Sequence, residues 1–208
     1  RPAVIVNAAA HTAVDKAERE PELAQRLNAE APAALAQAAA EVGAWLVHYS
    51  TDYVFDGSGE RPWREDDATG PLGVYGATKL AGEQAIRASG CQHLILRTSW
   101  VYAARGGNFA RTMLRLGAER ERLSVVNDQW GAPTGAELIA DVTAHALRQC
   151  LARQQDGGTY HLAAGGFTTW FAYANHGFAQ YRVAQEAREW RVKDVRPVVS
   201  GALPGLLG

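Results

Sequence analysis

The sequence predicts a doubly wound α/β fold on a mostly parallel sheet, and three observations carry that prediction. Short continuous apolar runs recur along the chain, as expected of strands buried on both faces. Helix-forming stretches separate them. The runs end in small or polar residues, at the strand ends where parallel sheets bind ligands. The first run, Ala3 to Ala10, passes from valine and isoleucine into alanine. From Asp15 to about Val42 the chain is rich in Ala, Glu, Gln and Leu, with Pro21 and Pro32 near helix starts or breaks; this reads as one or two helices. Trp45 to Ser50 is a second strand, ending in Thr51-Asp52, and the Gly-, Pro- and acid-rich stretch from Asp56 to Pro71 is a loop. A helix over Val74 to Ala88, a strand over His93 to Ser99, a helix over Phe109 to Arg120 and a strand over Leu123 to Asn127 continue the alternation. Glu137 to about Arg153 gives another helix, Thr159 to Ala163 another strand, and Thr168 to about Glu189 a last amphipathic segment. From Arg191 to Gly208 periodicity is lost and a loose tail is expected.

Composition excludes several classes of protein. With 47% hydrophobic and 21% charged residues over 208 positions, the chain can bury a core and is not a disordered one. Lys and Arg number 21 against 22 Asp and Glu, a net charge of -1, so no basic face for nucleic acid is expected. No apolar run approaches the roughly 20 residues that span a bilayer, so no membrane partner is expected and a cytoplasmic location is the default reading. Cys91 and Cys150 are too few for a disulfide framework or a four-cysteine zinc site. None of the six histidines forms a metal-like H-x-x-x-H pair, and none is assigned to chemistry on sequence alone. Met113 is the only methionine, so Arg1 is not an initiator.

The polar strand ends hold the chemistry. Ala9-Ala10-His11-Thr12 follow the first strand, Ser50-Thr51-Asp52-Tyr53 the second, and Ser99-Trp100-Val101-Tyr102 the third. Tyr75 and Lys79 stand four apart at the start of a helix and so share a face. An ammonium near a phenol favours the phenolate, which would bring the phenol's pKa of about 10 toward neutrality. Thr51 is placed to share one carbonyl oxygen with Tyr75. By residue type alone, Trp100 is better read as core filling and Tyr53 as a loop anchor, and their positions at strand ends narrow that gap.

Five ordered motifs resemble the dTDP-4-dehydrorhamnose reductase family within the extended short-chain dehydrogenase/reductases. They are Val4 to Glu18, Ser50 to Gly57, Tyr75 to Lys79, Arg97 to Tyr102 and Asn127 to Gly135. The resemblance implies reduction of the 4-keto group of dTDP-4-dehydro-L-rhamnose with NADPH or NADH, with a dTDP-sugar as substrate and a homodimer as a compatible assembly. It implies Tyr75 as proton donor, Lys79 as ribose ligand and tuner of Tyr75, and Thr51 as the third catalytic residue. Thr51, Asp52 and Trp100 would touch substrate; Ala10, His11, Thr12 and Tyr49 would line the cofactor beside Tyr75 and Lys79. Magnesium is also implied, with Glu137 as the matching carboxylate.

The same resemblance sets expectations about what is missing. No G-x-x-G-x-x-G motif occurs in the chain, so the expected fold is a Rossmann-type sheet lacking its first βαβ unit, with a reduced C-terminal substrate region. Residues 1–135 are expected to form a partial dinucleotide-binding domain and 136–208 a partial substrate region with an irregular tail. The rival readings are a non-catalytic fragment or regulatory homologue and, further behind, a nucleotide-sugar dehydratase or epimerase. A dehydratase would carry Thr-Asp-Glu where this chain has Thr51-Asp52-Tyr53, and an epimerase a Ser-Ser-x-x-Val-Tyr-Gly-like segment.

Overall fold

The computed structural model describes residues 1–153, 157–184 and 190–202. Contacts divide them into two compact units, one holding Arg1–Thr98 and Asp141–Leu162, the other Ser99–Ala140 and the described residues from Ala163 onward. The chain therefore passes out of the first unit and returns to it, whereas the sequence leads one to expect a single boundary after Gly135.

The first unit is built on a four-stranded, wholly parallel sheet. Strand β1 (Val4–Asn7) leads into α1 (Val14–Ala17), α2 (Pro21–Gln25), a π-helical turn (Arg26–Glu30) and α3 (Ala31–Val42). The helix ends at Gly43, whose φ of 68° lies in the left-handed region that favours glycine. Strand β2 (Trp45–Thr51) follows, then a short 3-10 turn (Asp52–Val54), α4 (Val74–Ala88) and β3 (His93–Thr98). The sheet runs β1-β2-β3 and is completed by Gly158–His161, a strand from later in the chain. Val4 pairs with Trp45, and Leu46 with His93, so the carboxyl ends of the strands lie along one edge.

Helices cover both faces of this sheet. Ala36 and Ala39 of α3 and Ile86 of α4 pack with Leu46 and Ile95 on one face. Side chains alternate along a strand, so Tyr49 points to the other face. There its hydroxyl donates to Thr143 at 3.0 Å.

The second unit holds three short strand pairs. Its elements are β4 (Val101–Tyr102), α5 (Phe109–Glu119), β5 (Arg122–Val126), β6 (Trp130–Gly131) and β7 (Thr134–Gly135). The helix α6 (Ala136–Arg153) carries the chain back into the first unit, where β8 (Gly158–His161) pairs with β3. Then come β9 (Thr168–Thr169), α7 (Trp170–Ala184), β10 (Asp194–Val198) and a 3-10 turn (Ser200–Ala202). β4 pairs with β7 and β10 with β5, both parallel, and β6 pairs antiparallel with β9.

Two expectations are corrected here. The strand at Leu123–Val126 belongs to this separate pair, not to the main sheet. The tail is not loose over Arg191–Val198: Val192 is buried beside Phe178, Leu123 and Val125, and the amides of Arg191 and Val192 both donate to the Gly117 carbonyl. A buried anchor and a backbone ladder supply the order that the sequence pattern lacked. Residues 203–208 and 185–189 lie outside the described residues. Among the described residues no helix is long and apolar enough to cross a membrane.

Candidate active site

Helix α4 is set down tightly on its neighbours because it carries glycine where others approach. A Cβ on Gly76 would run into the Tyr53 backbone carbonyl, and one on Gly82 into that of Asn28. Asn28, wholly buried in the π-helical turn, ties three elements together. Its side-chain oxygen accepts from the His11 amide at 2.8 Å, and its amide nitrogen donates to the His11 carbonyl and to Thr78. The loop after β1 and the first turns of α4 are thereby fixed to one another.

Tyr75 and Lys79 lie on one face of α4, as their spacing predicts, and Thr51 closes β2 beside them. Thr51 donates to Asp52 at 3.1 Å and accepts from the Tyr53 amide, and its hydroxyl acts on the Tyr75 phenol in the sense of lowering it. Tyr75 packs edge-on against Tyr53, their ring centres 5.6 Å apart. Lys79 is only 2% exposed; its ammonium donates to the Tyr49 carbonyl at 2.6 Å and lies 3.3 Å from His48 Nε2.

Electrostatics depart from the sequence expectation. Burial pushes the Tyr75 phenol up to about 12, the Thr51 hydrogen bond opposing and the Asp52 charge adding to the rise. Lys79 was expected to bring that phenol down. Its own value is instead lowered to about 8 by burial, with Glu83 acting in the opposite sense. Desolvation leads the rise, Lys79 is not among the charges acting on the phenol, and Tyr75 is held as a protonated phenol.

Below Lys79 the same helix face continues into a buried ion pair. Glu83 is fully buried and accepts from Arg97 Nε and Nη2 at 2.9 and 2.7 Å and from Arg87 at 3.0 Å. Burial alone would raise its carboxyl, but the hydrogen bonds, led by Arg97, hold it below the ordinary carboxylate value. Arg97 also lies over the Phe55 ring at 5.1 Å. The sequence signal for this pair was the continued spacing of four from Tyr75 through Lys79 to Glu83, and it was missed. His48 was missed too, although it is the one basic residue inside an otherwise apolar strand.

The remaining expected residues fall as follows. Ala10, His11 and Thr12 lie beyond the carboxyl end of β1; His11 is buried and reaches Glu20 at 3.2 Å, and Thr12 is exposed. Tyr49 meets Lys79 only through its backbone carbonyl, its side chain being turned to α6. Trp100 belongs to the second unit, where it stacks on Trp170 with ring centres 3.4 Å apart. Its φ of 45° is the only positive value at a non-glycine residue among the described residues, and Gly131 lets the indole pack directly on the backbone. Glu137 is exposed in the first turn of α6, and among the described residues no three His, Cys, Asp or Glu side chains gather as a metal site.

A parallel sheet covered on both faces, with a Tyr and a Lys one turn apart on the helix at its carboxyl edge, defines a Rossmann-type α/β chain. The sequence pattern described as the RmlD substrate binding domain matches residues 1–205. The chain belongs to the dTDP-4-dehydrorhamnose reductase family. A protein of that description from Salmonella typhimurium is 66% identical over 184 residues, covering 88% of this chain and 62% of the relative. Among solved structures, a dTDP-4-dehydrorhamnose reductase from Clostridium acetobutylicum matches with a TM-score of 0.88 at 39% identity, over 98% of this chain and 68% of that one. Another from Bacillus anthracis, in complex with NADP, matches with a TM-score of 0.85 at the same 39% identity, 98% coverage here and 68% there. The chain thus spans 62% of the length of the relatives from Salmonella typhimurium, Escherichia coli K12 and Shigella flexneri.

Proposed function

We propose that this chain carries the catalytic residues of an NAD(P)H-dependent reductase that converts the 4-keto group of dTDP-4-dehydro-L-rhamnose to the alcohol of dTDP-L-rhamnose. The observation that carries the proposal is the convergence of Thr51, Tyr75 and Lys79 at the carboxyl edge of a parallel sheet. The site fits a nicotinamide cofactor. Ala8 and Ala9 leave the backbone beyond β1 open to approach, and His11 Nδ1 is a buried polar atom without a partner. The cofactor, when bound, supplies the hydride that adds to the carbonyl carbon. Tyr75 gives its proton to the carbonyl oxygen, its raised value ensuring that the proton is present at neutral pH. Thr51 stabilises the charge developing on that oxygen by turning to it the hydroxyl proton that otherwise donates to Asp52. Lys79 holds the nicotinamide ribose with the N–H groups not given to Tyr49. Ala10, His11, Thr12 and Tyr49 are the further cofactor residues of the proposal, and Asp52 and Trp100 its substrate residues. Magnesium has no place in it, since Glu137 stands outside any cluster of metal ligands among the described residues.

A regulatory homologue without activity would have no need of a Thr, a Tyr and a buried Lys held in this arrangement. The test is loss of NADPH or NADH absorbance by the full gene product when the keto sugar nucleotide is added. Substrate-dependent oxidation is expected; its absence with both cofactors overturns the reading.

A further inference from the structure

Helix α4 begins without a capping side chain of its own. The first amides of any helix have no carbonyl partner inside it, and a Ser, Thr, Asp or Asn at the preceding position commonly supplies an acceptor. In α4 that position is Gly73, in extended backbone with φ -135° and ψ 172°. The acceptor comes instead from another segment: the Val74 amide donates to Oε1 of Glu18, just past the end of α1, at 2.7 Å. This carboxylate stands where a capping side chain would. A Cβ built on Gly73 would lie 2.7 Å from Glu18 Oε1 and 3.8 Å from its Cδ, and apart from its chain neighbours would meet nothing else within 4 Å. Gly73 and Glu18 therefore fit only as a pair. Tyr75 comes next along α4. Its carbonyl accepts from Thr78 at 3.0 Å, and Gly76 after it rests on the Tyr53 carbonyl, so the chain following Tyr75 is tied down. Glu18 ties down the chain preceding it. The segment that presents Glu18 is itself anchored, since Ala17 is wholly buried and Glu20 reaches His11 at 3.2 Å and Lys16 at 3.3 Å.

We propose that Glu18 is a positioning residue for Tyr75, capping α4 from a neighbouring segment in place of the side chain that Gly73 lacks. The inference rests on the proposed reduction, in which Tyr75 presents its phenol to one carbonyl oxygen. Tyr75 is the second residue of α4, so fraying of the first turn displaces it directly. Lys79 sits a turn further in, buried and bound to the Tyr49 carbonyl, and is insulated from that fraying. Loss of the cap should therefore fall on proton delivery and spare cofactor binding. What the helix requires of Glu18 is an acceptor oxygen at one place; its negative charge adds a favourable interaction with the positive end of the helix dipole. An amide oxygen at the same place meets the main requirement, and so does a side chain restored to position 73 once Glu18 is gone.

The test compares Glu18→Ala, Glu18→Gln and the double variant Glu18→Ala with Gly73→Asp against the parent, all in the full gene product. In Glu18→Ala, kcat is expected to fall about tenfold, the effect of a small misplacement of a reacting group, with cofactor Kd within about twofold of the parent. Glu18→Gln keeps the acceptor and is expected to retain most of the parent's turnover. The double variant places a local cap in the vacated space and is expected to recover most of what Glu18→Ala loses, whereas Gly73→Asp alone, set against an intact Glu18, is expected to lose turnover. A kcat in Glu18→Ala equal to the parent's overturns the proposal. So does a loss that the relocated cap fails to recover, or one matched by an equal loss of cofactor affinity, which general loosening of the helix would give. Amide hydrogen exchange reads the same bond without turnover: Val74 is expected to exchange about fivefold faster in Glu18→Ala and at near the parent rate in Glu18→Gln. An unchanged Val74 rate in Glu18→Ala overturns the proposal whatever the assay shows. Absence of turnover in the parent overturns the reductase reading and leaves the exchange measurement to decide the capping role of Glu18.

Discussion

The two units of this chain hold their proposed site residues by different physics. In the first, the face of α4 is organised by directed hydrogen bonds: Lys79 donates to the Tyr49 carbonyl, and Arg97 and Arg87 donate to Glu83. In the second, Trp100 is held by stacking on Trp170, with Phe109 packed against Trp170 in turn. Hydrogen-bonded polar groups in a low dielectric have one satisfied arrangement and are costly to disturb. Stacked rings tolerate small displacements. A group that must hand over a proton at a defined atom belongs in the first setting, and a residue that presents a flat surface belongs in the second.

That contrast makes graded demands on variants. The largest effect is expected from Glu83→Ala, which leaves Arg97 buried at 4% side-chain exposure with no carboxylate partner. Removing one member of such a pair costs about 3–5 kcal/mol. Amide hydrogen exchange in β2 and β3 should accelerate accordingly, while β5 and β10 exchange as in the parent.

An intermediate effect depends on pH. The folded-state value of His48, about 3, lies below its ordinary 6.5. Between those two values the unfolded chain binds a proton that the folded chain refuses, so stability is lost as pH falls through that window. His48→Leu abolishes this contribution, and its urea midpoint should decline less than the parent's from about pH 6.5 downward.

The smallest effect is expected in the aromatic unit. Gly131→Ala puts a methyl group against the Trp100 indole, an overpacking worth about 1–3 kcal/mol. The rings can slide to absorb part of it, so exchange in β6 and β9 should rise modestly. A larger loss here than in Glu83→Ala would reverse the contrast.

Most of the first unit was legible because its strands are continuous apolar runs and its helices amphipathic. Tyr75 and Lys79 were legible as a pair because helical spacing alone puts them on one face. What escaped detection depended on the fold. His48 acquires meaning only when β1 brings Asn7 to one side of it and α4 brings Lys79 to the other. Asn28 looks like any polar residue in a helix until its turn closes on His11 and Thr78. The strand at Asp194–Val198 was hidden because it contains Pro197 and pairs with a segment about 70 residues earlier, with no alternation to announce it. The expected lowering of Tyr75 by Lys79 failed because spacing reveals proximity but not desolvation.

The reading of Tyr75 as proton donor is tested by Tyr75→Phe in the full gene product, comparing turnover and cofactor affinity with the parent. The phenol oxygen is lost but the ring that packs on Tyr53 is kept. The expected result is a kcat lower by about 10²–10⁴-fold, the usual contribution of a positioned proton donor, with cofactor Kd unchanged within about twofold. Equal turnover in variant and parent would contradict it.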